Sequence, residues 1–333
     1  MRDHKSEPLR YEDWPELQSL QSRAAVAVAD ACWRRWGVLS GAVNTAADST
    51  PRCVIDPETL ILTTLGAGGG ERLQTVCRDW VLENTRLLSV QRLRNLLGTV
   101  FPASSVNPAA KHIGGALYRL ASDCVSDAKD ARWKAIKTLC EGVYRLGGAG
   151  GSYTDAALAP RRRATAARVL QPGALVLRLR LALGVSIKAD GIALLSTQRT
   201  RSTSLAEFSA WLGFTQSASR RALRDLVRAG LVREGRSPYK GFRLNRDEWP
   251  ASLSAPTELD WDPLPTHGRF LLTVIGTMQE GYDLSRNAAY NRMNRAILSA
   301  NDPDVSALEY DGEVPWTVAA TNSVNRAIAL LAQ

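Results

Sequence analysis

Within QSASRRALRDLVRA (residues 216–229), Gln216, Ser217, Arg220, Arg221 and Arg224 recur at three- and four-residue steps, which puts them on one face of a helix. Those residue types suit one kind of chemistry. Gln can pair bidentately with adenine and Arg with guanine, and Arg also holds a backbone phosphate. Gln216, Arg220 and Arg221 are the candidates for reading base edges, and Arg224 for a phosphate. Thr215 can cap the helix, and the free N–H groups at 215–217, with the helix dipole, favour a phosphate as well. The opposite face, Ser219, Ala222, Leu223, Leu226 and Val227, is small or apolar and suits packing.

The elements needed to present such a helix surround it. Residues 187–196 predict a first helix with Ile192 and Leu195 inward. Ser204 can cap a second, LAEFSAWL (205–212), and Gly213-Phe214 makes a tight turn into the Arg-bearing helix, which stops at Gly230. Leu231, Val232, Phe242 and Leu244 then supply inward apolar groups to a strand–loop–strand, leaving Arg233, Arg236, Lys240 and Arg243 to solvent. Gly235, Pro238 and Gly241 permit a tight tip, where Tyr239 can lie against sugar or phosphate. Two helices joined by a short turn and followed by such a hairpin make a winged helix-turn-helix, whose second helix enters a major groove while a basic wing follows the backbone or minor groove.

Charge is distributed to match. The chain of 333 residues carries a net +9, but residues 161–246 hold 18 Lys/Arg against 4 Asp/Glu, a net of +14. Residues 1–160 stand at +2 and residues 247–333 at −7. A cationic block of this kind attracts polyanions, of which duplex DNA is the usual one. Arg161, Arg162 and Arg163 are either a phosphate-contacting arm or a solvated helix start.

Other chemistries find little support. His4, His112 and His267 lie far apart, and no Cys/His spacing suits zinc. Gly66–Gly70 ends a helix where a dinucleotide loop would open one, and neither a phosphate-binding P-loop nor a G-x-S-x-G elbow occurs. Asp260-x-Asp262 and Asp302-x-Asp304 sit beside prolines and read as turn-forming residues. The sequence therefore predicts no enzyme, no cofactor and no metal. Cys32, Cys53, Cys77, Cys124 and Cys140 are odd in number, lack C-x-x-C pairs and read as reduced, buried thiols. The polar start and the lack of a long apolar run predict a cytoplasmic protein with no membrane contact.

The expected fold is mainly α. Residues 1–10 read as a disordered tail, 11–146 as an all-α N-terminal domain, 147–153 as a Gly-rich linker, 154–249 as the winged helix-turn-helix domain, and 250–333 as a connector followed by a helical C-terminal region for dimerisation or partner binding. Asp56-Pro57-Glu58 marks a helix start. ALVLRLRLAL (174–183) alternates like a strand yet also suits a helix packed on both sides, and a helix is expected. LLSVQRLRNLL (87–97) reads as a core helix with solvated arginines, or as a second helix-turn-helix with Gln91, Arg92 and Arg94 outward. That second version would suit a replication-initiator-like role.

The run SLAEFSAWLGFTQSASRRALRDLVRAGLVREG is similar to the winged-helix transcriptional regulators of bacteria, of the multiple-antibiotic-resistance and arsenical-resistance repressor type. The likeness rests on Leu205-Ala206 with Leu212-Gly213, on Ser217 and Ser219–Leu223 with Arg224 and Leu226, and on Ala229–Val232. It covers residues 187–246 and leaves the N-terminal helices unexplained. DPETLILTTL and LLSVQRLRNLL more loosely resemble bacterial winged-helix proteins paired with nucleotidyltransferase-type toxins. The first resemblance implies a sequence-specific double-stranded-DNA-binding regulator, a homodimer acting as a repressor. The second implies an antitoxin or adaptor working through protein contacts with a toxin or other operon product.

Overall fold

Apolar, buried residues recur at three- and four-residue steps along α1 (Pro15–Ser40), namely Leu20, Ala24, Val28, Cys32, Trp36 and Leu39, so this helix forms one wall of a core. The computed structural model describes residues 15–41, 51–67, 70–100, 108–143, 166–198, 201–235, 241–248, 250, 253, 259–268, 270–272, 275 and 316–332. The fold is mainly α, as expected. The tail 1–10, the linker 147–153 and Arg161–Arg163 lie outside the described residues.

Against α1 pack α2 (Pro57–Gly66) and α3 (Glu71–Asn84); α4 (Val90–Val100) and α5 (Pro108–Ser126) pack in turn on α2, and α6 (Lys134–Val143) on α5 and α4, all in one core. Asp56 caps α2 as its sequence predicts, accepting from the Thr59 N–H at 3.3 Å. Pro57 through Leu65 are buried all round, so α2 is the centre of this body. The Trp36 and Trp80 rings meet at 5.3 Å, and the Trp36 indole N–H donates to Thr64 Oγ1 at 2.9 Å. All five cysteines are buried and unpaired, and burial pushes the Cys32 and Cys140 thiols up to about 12.

The second block holds α7 (Leu175–Leu183), α8 (Ile187–Thr197), α9 (Leu205–Leu212), α10 (Gln216–Arg228), β2 (Val232–Glu234) and β3 (Phe242–Leu244). The strand-like alternation of 174–183 has a packing origin. α7 is a helix wedged between two cores: Leu177 faces the first, and Leu175, Val176 and Leu179 face the second.

Two features revise the sequence reading. The stretch after residue 250 is more than a connector, because Asp260–Trp261 (β4) pairs in parallel with Cys53–Val54 (β1). A two-residue strand carries no periodicity of its own, and its partner lies about 200 residues earlier in sequence. Asp262, next to it, is buried on Arg35 at 2.8 Å and also accepts from the Leu264 N–H, in keeping with a turn-forming role. The C-terminal α11 (Trp316–Ala332) lies back on α1, burying Val324, Ala327 and Leu331, with Ile328 half-buried. Asp302-x-Asp304 lies outside the described residues.

Where the two blocks meet, five ionisable side chains are fully buried together. Arg92 reaches Asp56 at 2.7 Å and Glu58 at 3.0 Å. Arg180 reaches Glu58 at 2.6 Å and Asp190 at 2.7 Å. The expectation of an outward Arg92 is thus overturned: α4 is a core helix, and Arg92 points inward because two buried carboxylates need it. Only Gln91 of that trio is exposed, and Arg94 is half-buried. Burial pushes the Asp56 carboxyl up by more than Arg92 pulls it down. For Glu58 burial acts in the same direction, but Arg180 and Arg92 outweigh it and hold the carboxyl low.

Arg180→Ala would leave Glu58 and Asp190 buried without their main counter-ion. The expected cost in urea denaturation is roughly 3–5 kcal/mol. A loss below ~1 kcal/mol, the range of solvated pairs, would show that this junction is wet and slack.

Candidate nucleic-acid interface

Local rules account for each part of the second block. Ser204 and Glu207 form a reciprocal cap at the start of α9: the Glu207 N–H donates to Ser204 Oγ at 3.2 Å, and the Ser204 N–H to Glu207 Oε2 at 2.9 Å. Gly213 ends α9 at φ +67°, where an added Cβ would meet the Leu96 side chain at 2.6 Å. The left-handed backbone favours glycine there, and any larger residue would also have to push the Leu96 side chain aside. Thr215 caps α10 through the Ala218 N–H at 3.3 Å.

α10 divides as its sequence predicts. Ser219, Ala222, Leu223 and Leu226 are buried and Val227 is half-buried, in a core shared with Phe208, Leu212 and Ile192. Thr215, Gln216, Ser217, Arg220, Arg221 and Arg224 are all exposed. Gln216, Ser217, Arg220, Arg221 and Arg224 together line one depression of about 370 Å3. Neither an ion pair nor a side-chain hydrogen bond joins Arg220, Arg221 or Arg224 to another described residue. The acid within α10, Asp225, is turned onto Lys188 of α8 at 2.8 Å, and that bond and charge hold its carboxyl below the usual range. Among the described residues, α10 therefore presents outward three arginines without an ion pair, beside a Gln and a Ser, with Asp225 the nearby acid whose carboxyl the Arg224 charge also helps hold low.

The hairpin adds to this. β2 and β3 are antiparallel with Val232 opposite Leu244 and Arg233 opposite Arg243. Like charges directly across a ladder are unfavourable on their own. Here Arg233 is drawn to Asp247 at 3.0 Å and Arg243 donates to Ser202 Oγ at 2.6 Å, and both stay exposed. Val232 and Leu244 are buried, while Leu231 and Phe242 are half-buried. The hairpin closes through the Gly235 N–H and Gly241 carbonyl at 2.7 Å, and a bridge between Thr203 and Phe242 ties it to the start of α9. Arg236, Tyr239 and Lys240 of the tip lie outside the described residues.

The structure thus gathers the sequence-derived candidates of α10 onto one face and places Arg233 and Arg243 side by side. Sequence reasoning missed Arg228, exposed at the end of α10, and the buried roles of Arg92, Arg180 and Asp190. A signal for the latter was available. Glu58 is the one charge of α2, and Arg180 and Asp190 each share a largely apolar helix with one other charge, Arg178 and Lys188; charges buried in such surroundings must find one another. Among the described residues, no group of three His, Cys, Asp or Glu side chains is arranged to hold a metal ion. Nor is any described helix long and apolar enough to cross a membrane. No protein-family profile, curated protein sequence or solved structure matches the chain.

Because these arginines have no role in packing, Arg220→Ala, Arg221→Ala and Arg224→Ala are each expected to change unfolding free energy by less than ~0.5 kcal/mol. A larger loss in chemical denaturation would assign them to the fold and remove them from any interface.

Proposed function

We propose that the second block is a winged helix-turn-helix and that the protein is a cytoplasmic, sequence-specific binder of double-stranded DNA, acting as a transcriptional repressor. α10 is its reading helix and β2–β3 the base of its wing. The observation that carries this reading is the outer face of α10, where three exposed arginines stand without acidic partners among the described residues, next to Gln216 and Ser217. A protein surface gains nothing in stability from such crowding of like charge, whereas a phosphate backbone releases counter-ions to it. Gln216, Arg220 and Arg221 read base edges. Arg224, Arg233 and Arg243 engage phosphates, joined by the tip residues Arg236, Tyr239 and Lys240. As a homodimer the protein would read an inverted repeat with half-sites about one helical turn apart.

The test is an electrophoretic mobility shift with the DNA immediately upstream of its own reading frame, across a salt series. Binding is expected to weaken steeply with salt. Arg224→Ala should weaken all sequences alike and shallow the salt slope by ~1, while Arg220→Ala should cost ~1–3 kcal/mol on the preferred site and relax its base preference. Absence of salt-sensitive binding at ~50–100 mM salt removes the reading.

A further inference from the structure

The five buried ionisable groups at the junction of the two blocks are placed with respect to α10 in a way that stability alone does not require. Arg92 spends its Nη atoms on Asp56 and Glu58 and donates its Nε–H to the Leu212 carbonyl at 2.7 Å. Leu212 is the last residue of α9, at the turn that leads into α10. Arg180 spends Nε and Nη2 on Asp190, at 2.7 and 2.9 Å, and both Nη atoms on Glu58. Asp190 lies on α8, the other helix on which α10 rests. Glu58 bridges the two guanidiniums and also accepts from the Ser89 N–H at 2.7 Å. The first block therefore grips both supports of α10 through one carboxylate, and Leu96 against Gly213 makes a third contact.

We infer that this network is a positioning joint: Arg92 and Arg180 set the pose of α10 relative to the N-terminal helices, which makes those helices a working part of the reading head. The hydrophobic effect is non-directional, and packing shape restricts helix orientation only to within about 15–20°. A guanidinium is a planar fork whose donors fix both distance and orientation. Replacing buried ion pairs by apolar groups is often neutral or stabilising, so adhesion alone does not call for five charges here. What they add to apolar packing is hydrogen-bond geometry that fixes direction as well as distance. Arg92 and Arg180 act through the backbone and helices they hold and do not touch DNA.

The consequence for binding rests on the function proposed above, but the joint itself is testable without DNA. In the full chain, spin labels at Thr138→Cys on α6 and Ala229→Cys at the end of α10 report the distance between body and reading helix; the native thiols are buried. The parent should give one narrow distribution. Arg92→Lys keeps the charge but cannot reach Asp56, Glu58 and the Leu212 carbonyl together, and should broaden it. Arg92→Leu with Asp56→Asn removes both charges, retains the helical circular dichroism, and should broaden it as well. Arg78→Lys, which alters an ion pair inside the body, should not.

On DNA selected from a random-sequence duplex pool, Arg92→Lys should lose about tenfold in affinity if the competent pose falls to about a tenth of the population. Its salt slope on the unselected pool should stay unchanged, because no phosphate contact is lost. Distributions as narrow as the parent's in both folded variants would overturn the joint. Unfolding of both would overturn it too, by showing a purely stabilising role. Broadened distances in a protein whose parent binds no duplex would uphold the joint and remove the DNA-binding reading alone.

Discussion

Charged side chains can be fully buried only if they satisfy one another, and that constraint organises this molecule. Asp56, Glu58, Arg92, Arg180 and Asp190 come from α2, α4, α7 and α8 and are inaccessible to solvent. Withdrawing any one leaves its neighbours as uncompensated charge in a medium that solvates them poorly. The helices that carry them therefore have one mutual arrangement in which every group is paired. Arg35 with Asp262 extends the principle to β4, and the Asp56 N–H, 3.4 Å from Asp262 Oδ2, links that pair to the network.

Around that fixed centre the two cores are complementary in purpose. The first, built on α1 and α2 and closed by α11, is a broad apolar mass. The second is small, and its helices present a cationic surface to solvent. α7 serves both, with apolar residues on opposite sides and one buried arginine between them. The same rule, that charge must be compensated, gives opposite results inside and outside. Inside, each guanidinium has its carboxylates. On α10 the guanidiniums have none among the described residues, and Asp225, which could have served, is occupied by Lys188. Among the described residues no ion pair compensates this face, and that is what supports the polyanion proposed as its partner.

Much of the second block was legible in sequence. The caps at Ser204 and Thr215, the glycine after Leu212, and the two faces of α10 follow from local rules that need no distant partner. α2 was legible for the same reason, from Asp56 and Pro57. What was not legible depended on contacts far apart in the chain. Arg92 in QRLRNLL looks like any solvated arginine until Asp56 and Glu58 are seen beside it. Asp260–Trp261 reads as loop until Cys53–Val54 supplies its ladder. Residues 174–183 read ambiguously because a helix buried on two sides loses the one-sided period that identifies most helices.

The outer face of α10 is the surface proposed to meet a duplex. Amide hydrogen exchange of the full chain, with and without a DNA site recovered by selection, addresses it most directly. Slowed exchange is expected over residues 215–224 and at Arg233 and Arg243, with α1 and α11 unchanged. Protection confined to the N-terminal helices, or none on α10 under conditions where the DNA is bound, would contradict it.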